Sequence, residues 1–219
     1  MALKVYEIFP SINGEVCLPH QGSLCTFVRL SGCNLKCKLC DTKYAQDIDS
    51  GKGLSTSQII QAIEMLENQN ITITGGEPLL QAEKLSKLVY KLVNSGYNVS
   101  IETNGSISPP PWAMVSWVVD YKLNSSGMNS FMNIDNFRNL GCSDFIKFVI
   151  ETKSDFNQAK SIVQELVKSE RYPSFAFSPC FSEGLSPDLQ LKEWMEESKL
   201  LRKIGAIFSI QIHKIFNWK

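Results

Sequence analysis

Six short runs rich in β-branched and aromatic residues punctuate this chain, each followed by a polar or glycine-containing turn: Cys25 to Leu30, Ile71 to Thr74, Val99 to Glu102, Trp117 to Lys122, Phe145 to Ile150 and Phe175 to Ser178. Longer amphipathic stretches alternate with them, which is the beat of a β/α fold. Ser55 and Gln58 form a capping box that opens a helix with Ile59, Ile60, Ile63 and Leu66 on one face. Leu85, Leu88, Val89, Leu92 and Val93 mark a second helix closed by Gly96. Ile162, Val163 and Leu166 mark a third, entered through Ser154 or Asp155, and Pro187 starts a fourth that Gly205 ends. The polar stretch from Asn124 to Asn136 predicts a loop with at most a short helix.

This pattern predicts a parallel sheet curled into an incomplete barrel, a shortened (β/α)6-type partial TIM barrel. Extension strands are expected at the N-terminus (Leu3 to Phe9) and the C-terminus (Ile207 to His213). At 219 residues and 43% hydrophobic content the chain suits one well-buried core, so residues 1–219 are expected to form a single domain.

In folds of this kind chemistry collects at the C-terminal ends of the strands. The reactive residue types fall there: Ser31 to Cys40 follow the first run, Gly75 to Pro78 the second, Glu102 to Gly105 the third, Lys122 the fourth and Ser178 to Cys180 the sixth.

The most specific of these segments is "GCNLKCKLCDT", residues 32–42, which places Cys33, Cys37 and Cys40 within eight positions and offers no obvious fourth ligand. Seven cysteines in a chain of this size fit reduced thiols, some bound to metal, better than a disulfide framework. A structural zinc site closes its coordination with four ligands, usually as two cysteine pairs, and the second pair is missing. A four-iron cluster held by three thiolates leaves one iron open, and an open position separates a catalytic centre from a closed one. Cys17, Cys25, Cys142 and Cys180 are expected to pack as small apolar residues.

The 22 basic and 22 acidic residues balance, with no basic block to track a phosphate backbone, so nucleic acid is not an expected partner. No window reaches the apolar length of a membrane span or a signal-peptide core, so a cytoplasmic protein is expected.

The spacing of Cys33, Cys37 and Cys40 matches the signature of the radical S-adenosylmethionine (SAM) superfamily, and Thr74-Gly75-Gly76-Glu77-Pro78 resembles its motif for the SAM amino group. Residues 6–45, "YEIFPSINGEVCLPHQGSLCTFVRLSGCNLKCKLCDTKYA", resemble the 7-carboxy-7-deazaguanine synthase family, whose pattern runs IFxSIQGEG and then FVRLxGCNLxCxWCDTxYA. The likeness resumes at Thr74 to Pro78, at Glu102 to Gly105, at Asp120 to Met128 and in the tail "IQIHKIFNWK", and so covers the chain end to end.

The resemblance implies ring contraction of 6-carboxy-5,6,7,8-tetrahydropterin to 7-carboxy-7-deazaguanine with loss of ammonia, in 7-deazapurine (queuosine) biosynthesis. It implies a [4Fe-4S] cluster, SAM and Mg²⁺ as cofactors, a homodimer, and an external electron donor such as flavodoxin or ferredoxin. In this reading the thiolates of Cys33, Cys37 and Cys40 in the loop 31–45 hold the cluster, and an electron from it releases a 5′-deoxyadenosyl radical from SAM that removes hydrogen beside the substrate carboxylate. SAM contacts are implied for Leu39, Cys40, Asp41, Gly75, Gly76 and Glu77, where Glu77 positions the turn or accepts from the ligand. Glu102 resembles the acceptor for the SAM ribose, and Lys122 a group near the SAM carboxylate.

Substrate contacts are implied for Ile12, Asn13, Gly14 and Glu15, with Glu15 accepting from the guanidine-like pterin edge. Arg29 would grip the substrate carboxylate through a bidentate fork, against the alternative of a surface ion pair. Thr74, His213 and the main-chain carboxylate of Lys219 complete the substrate set, although a histidine on an apolar strand is often a core residue. Thr42 would offer its hydroxyl to Mg²⁺.

Three positions depart from the family pattern: Val16 replaces a glycine, Asn13 a glutamine and Leu39 a tryptophan. Two competing readings remain at this level. One is a radical SAM activase that generates a glycyl radical on a protein partner, and the other is an iron–sulfur or zinc binding module without catalysis.

Overall fold

The strand–helix alternation folds into a sheet whose two faces carry different chemistry. The computed structural model describes residues 2–169, 171–181 and 189–216. The described strands are β1 (Leu3–Ile12), β2 (Leu24–Leu30), β3 (Lys52–Leu54), β4 (Asn70–Gly75), β5 (Asn98–Thr103), β6 (Val115–Asp120), β7 (Phe145–Ile150), β8 (Ser174–Pro179) and β9 (Ile207–Phe208). They form a nine-stranded sheet in the order β3-β1-β2-β4-β5-β6-β7-β8-β9. From β2 to β9 every pairing is parallel, while β1 pairs antiparallel with both β2 and β3.

Because side chains alternate along a strand, each strand of the parallel run sorts its residues between two faces. Ile71 and Ile73 of β4, Val99 and Ile101 of β5, Trp117 and Val119 of β6, Ile146 and Phe148 of β7, and Phe175 and Phe177 of β8 join the main core. Against them pack α1 (Thr56–Glu64), through Ile59 and Ile63, and α2 (Ala82–Asn94), through Leu85, Leu88, Val89 and Leu92. Each such side chain contributes about 1.5–3 kcal/mol when fully buried. α3 (Lys153–Leu166) adds Phe156, Ile162, Val163 and Leu166. Of the intervening positions, Thr72, Thr74, Ser100, Glu102, Asp120, Lys147 and Ser178 are polar and fall on the other face, together with the apolar Val118 and Ala176.

The capping box of α1 forms as expected, with the Ser55 side chain accepting from Gln58 N and the Gln58 side chain accepting from Ser55 N. Gly96, at φ 85°, follows the end of α2, and Gly205, at φ 65°, caps α5 (Lys199–Ile204), which follows α4 (Leu189–Glu197). The proposed start at Pro187 lies outside the described residues. The stretch from Asn124 to Asn136 holds only short 3-10 turns.

Several expectations need correction. The fourth strand stops at Asp120, before Tyr121 and Lys122, where the chain leaves the C-terminal end of the strand with Tyr121 N donating to Lys147 O at 2.9 Å. α3 starts earlier than expected because Thr152 caps it and Asp155 returns the bond. β1 runs on to Ile12, and β3 was not anticipated, since "KGL" carries no alternation.

The C-terminal strand to His213 does not form: β9 is two residues long, and His213 sits on a helical turn, α6 (Ile212–Ile215). Ser209 N still reaches Phe177 O at 2.8 Å, but Ile212 N donates to Gly14 O at 2.9 Å and takes the chain off the sheet. Cys17 and Cys25 are buried as expected, whereas Cys142 is exposed and Cys180 lies at the cavity described next. Among the described residues no helix is long and apolar enough to cross a membrane.

Candidate active site

The cysteine loop leaves β2 at Leu30 and is held by its backbone. Gly32 N donates to Ala45 O and Cys33 N to Gln46 O, both at 2.9 Å, and Lys38 N reaches Ser126 O at 3.0 Å. The Gly75-Gly76 turn after β4 lies directly against this loop, with Gly76 N donating to Leu30 O at 3.0 Å and Glu77 N to Gly32 O at 2.7 Å. A Cβ at Gly76 would overlap the Gly32 carbonyl, so glycine is required by close backbone approach.

Glu77 is fully buried and does not line the cavity. Its carboxylate accepts from Leu79 N at 2.9 Å, Thr103 Oγ1 at 2.8 Å and Asn104 N at 2.7 Å. It therefore braces the turn, the first of the two roles expected for it. Asn104 follows β5 and carries the bracing on to the cysteines, donating to Asn34 Oδ1 at 3.1 Å and lying 3.8 Å from Cys33 Sγ.

Cys33, Cys37 and Cys40 open together onto a cavity of about 480 Å³ at the C-terminal ends of the strands. Burial pushes the Cys33 and Cys37 thiols up, so without a metal they stay protonated at neutral pH. A bound cation reverses that preference. Among the described residues no three His, Cys, Asp or Glu side chains converge as one metal ion requires. A multi-iron cluster instead spreads its thiolate ligands across its own width, so the donor set suits a cluster with an open position better than a zinc ion.

The same cavity is lined by Ile12, Gly14, Glu15, Arg29, Leu39, Asp41, Thr42, Thr74, Gly75, Gly76, Glu102, Lys122 and His213, which brings most of the expected residues together. Arg29 lies in the wall, its Nε donating to Glu7 Oε1 at 3.1 Å, with its guanidinium 5.6 Å from the Phe9 ring centre and 5.8 Å from that of Tyr44. With 14% of its side chain exposed it is no surface ion pair. Thr42 Oγ1 donates to Asp41 Oδ1 at 2.8 Å, which leaves the hydroxyl lone pairs free to accept. Asp41 also pairs with Lys214 Nζ at 3.0 Å, tying the cysteine loop to α6. Burial opposes ionisation of Asp41, yet Lys214 holds its carboxyl well below the usual range.

One expected substrate contact is not brought in. Asn13 is buried, with its Nδ2 donating to Ser23 Oγ at 2.9 Å and its Oδ1 accepting from Thr72 Oγ1 at 2.6 Å, so its amide points into the sheet. Lys219 lies outside the described residues. His213 packs so closely on the loop that a Cβ at Gly14 would overlap its ring, and burial holds its imidazole below the ordinary histidine value.

The floor of the cavity is an ionic network that the sequence reading missed. Lys147, from the middle of β7, pairs with Glu15 and lies 3.4 Å from Asp120 Oδ2, which also takes Lys122 Nζ at 2.9 Å. Gln211, the residue that caps α6, donates from Nε2 to Glu15. Thr74 Oγ1 donates to Glu102 Oε2 at 2.7 Å. Burial disfavours the charged forms throughout, but Lys147 keeps Glu15 and, after Lys122, Asp120 ionised below their ordinary values. Lys147 is itself raised by Asp120 and Glu15. Glu102, buried beside the negative Glu15, is pushed up to about 7. The available signal was a lysine at an inward-facing position of an otherwise apolar run, "FIKFVI".

A parallel sheet whose strand ends deliver three cysteines, a diglycine turn and a charged, half-enclosed cavity defines a radical SAM type of iron–sulfur protein. In agreement, residues 19–108 match the family model described as a 4Fe-4S single cluster domain. Over 220 residues the chain is 39% identical to the 7-carboxy-7-deazaguanine synthase of Clostridium acetobutylicum, covering 98% of this chain and 96% of the relative. It is 34% identical to that of Koribacter versatilis, covering 99% of this chain and 97% of the relative. The fold is similar to that of a structure titled "Crystal structure of QueE from Escherichia coli", with a TM-score of 0.75 at 20% identity over 96% of this chain and 94% of that one. The chain belongs to the 7-carboxy-7-deazaguanine synthase family.

Proposed function

We propose that this protein converts 6-carboxy-5,6,7,8-tetrahydropterin to 7-carboxy-7-deazaguanine with loss of ammonia, in 7-deazapurine (queuosine) biosynthesis. The observation that carries the reading is the single cavity in which the three-cysteine loop, the Gly75-Gly76 turn, Arg29, Glu15 and His213 meet. Full-length relatives with that activity in their names support it.

When bound, the cluster and SAM supply a carbon-centred radical able to remove hydrogen beside the substrate carboxylate. Cys33, Cys37 and Cys40 would hold the cluster, and the cavity-lining turn at Gly75 and Gly76 would receive the SAM amino group. Leu39 and Asp41 border the same ligand, Glu102 accepts from its ribose, and Lys122 neutralises its carboxylate. Glu77 acts through the turn it braces.

Arg29 grips the substrate carboxylate, its planar guanidinium lying over the Phe9 and Tyr44 rings. Glu15, held ionised by Lys147, accepts from the N–H groups of the pterin edge, and His213 with Gly14 and Ile12 closes over the ring. Thr42 contributes an oxygen to Mg²⁺, an ion that keeps most of its waters. Asn13 supports the recognition loop from below.

We read the nine-stranded sheet as a shortened (β/α)6 partial barrel and residues 1–219 as one domain. A homodimer, a cytoplasmic location and a flavodoxin or ferredoxin as electron donor rest on family membership alone.

The deciding experiment is anaerobic turnover of the carboxytetrahydropterin with SAM, a reductant and Mg²⁺. The deazapurine acid should appear, and Arg29→Ala should weaken substrate binding while leaving cluster absorbance intact. SAM cleavage with no deazapurine would refute the substrate. A requirement for a protein substrate would support a glycyl-radical activase instead.

A further inference from the structure

Arg29 does not stand alone in the cavity wall. In the antiparallel pairing of β1 and β2, Glu7 lies directly opposite Arg29, and Phe9 lies opposite Phe27. Side chains two residues apart share a face of a strand, so these four belong to one face of the ribbon. On its other side β2 runs parallel to β4, where Arg29 is aligned with Thr74, whose hydroxyl donates to Glu102. Thr74 and Glu102 line the cavity with Arg29, whereas Glu7 does not. Arg29 is therefore flanked by the cavity on one side and by a carboxylate set back from it on the other.

That carboxylate takes one particular nitrogen. Glu7 Oε1 accepts from Arg29 Nε, and among the described residues neither terminal nitrogen of the guanidinium makes a hydrogen bond. A guanidinium offers a carboxylate two forks, one side-on through Nε and a terminal nitrogen, the other end-on through both terminal nitrogens. With Nε engaged, the side-on fork is closed and the end-on fork remains. The rings of Phe9 and Tyr44 restrict the plane of the group, and Tyr44 is backed in turn by Tyr6, with ring centres 4.9 Å apart. Tyr6 sits where β1 slips register between Val5 and Glu7, the kind of irregularity that re-aims a side chain.

Charge alone argues against this arrangement. A carboxylate beside Arg29 lowers its attraction for any second anion, so a site built only for affinity would leave Glu7 out. What Glu7 contributes is direction. We propose that Glu7 is a positioning residue: by holding Nε it presents the end-on fork of Arg29 to the cavity, where that fork receives the substrate carboxylate. The inference rests on the pterin reading above and deepens it by naming what aims the carboxylate contact.

The test compares binding of 6-carboxypterin with that of pterin, which lacks the carboxylate, to cluster-loaded protein by anaerobic titration calorimetry. Wild type should bind the carboxypterin more tightly. Glu7→Gln keeps an oxygen for Nε and drops the negative charge, so carboxypterin binding should hold or tighten. Glu7→Leu drops the oxygen as well and should weaken carboxypterin roughly tenfold, although the wall becomes more positive; pterin should be unaffected by either change. Unchanged or tighter carboxypterin binding in Glu7→Leu would show that Glu7 only screens Arg29, and equal losses for the two ligands would show that it only supports the fold. Either result overturns the proposal and leaves the pterin reading intact. If wild type does not distinguish the ligands, the grip of Arg29 has failed and the proposal falls with it; if it binds neither, the pterin reading has failed as well. Cluster absorbance and SAM binding check that the variants are folded. Should Glu7→Leu lose them, Glu7→Asp replaces it: the carboxylate draws back by one methylene at constant charge, and a smaller loss, confined to the carboxypterin, is expected.

Discussion

The rim and the floor of the cavity are built on opposite principles. The rim, with Cys33, Cys37 and Cys40, is one continuous loop whose positions are set by backbone hydrogen bonds and whose thiols are only partly buried. The floor joins Glu15, Asp120, Lys122, Lys147 and Gln211 from four separate segments, held by paired charges beneath the cavity. A contact made by the backbone survives loss of a side chain, whereas removing one member of a buried ion pair strands its partner. Rim substitutions should therefore abolish chemistry while sparing the fold, and floor substitutions should do much of the reverse.

The sharpest break is Cys37→Ala, which should eliminate iron–sulfur absorbance and turnover while the unfolding midpoint of the metal-free protein moves little. A large loss of metal-free stability would show that the rim is structural. Next is Lys147→Met, which takes the cation from Glu15 and leaves Asp120 to Lys122 alone. Denaturant unfolding should show a loss of about 3–5 kcal/mol, with the capacity to assemble a cluster retained where the protein folds. A change below 1 kcal/mol would mean that the floor is far wetter than its burial implies.

Gly76→Ala tests the seam between the two regions, because its methyl group would meet the Gly32 carbonyl. The expected cost is about 1–3 kcal/mol, together with weaker SAM binding, both read from melting curves with and without SAM. A subtler difference lies in pH. Glu102 is raised to about 7 from an ordinary 4.5, so the folded protein binds its proton more tightly than the unfolded chain does. The stabilisation this provides is complete below about 4.5 and is lost as pH rises through 7. His213, lowered by burial, works the other way as pH falls below 6.5. The informative quantity is therefore the stability difference between Glu102→Gln and wild type, which should shift in favour of the variant from pH 5 to pH 7.5. A flat difference would show that Glu102 is ionised in the fold over that whole range.

The smallest effect is expected for Asp41→Asn, since its pair with Lys214 has 54% of the Asp41 side chain exposed. Less than about 1 kcal/mol should be lost, and the loss should vanish in high salt.

Much of the rim was legible in the sequence because its information is local. Three cysteines within eight residues must share one loop, and two glycines at a strand end announce a close backbone approach. The strands of the parallel run were legible for the same reason, though their ends were not: Lys122 reads as the continuation of an apolar run and lies beyond the end of β6. His213 reads as strand because its neighbours are β-branched, yet the backbone there bonds to Gly14 instead of to β8. Asn13 reads as a ligand contact and proves to be a structural amide, since nothing in its own segment reveals that Thr72 waits behind it.

The amino-acid sequence by itself determined the strand–helix alternation, the cysteine spacing, the diglycine turn and, through them, the family. Those features depend on periodicity and on neighbours a few residues away. Only the tertiary structure decided which inward-facing polar residues meet. Glu15 pairs with Lys147 across 132 positions and with Gln211 across 196, and no local pattern encodes such a separation. Strand order and the alternation of side chains bring those charges to one face of the sheet, and burial makes each of them depend on the others.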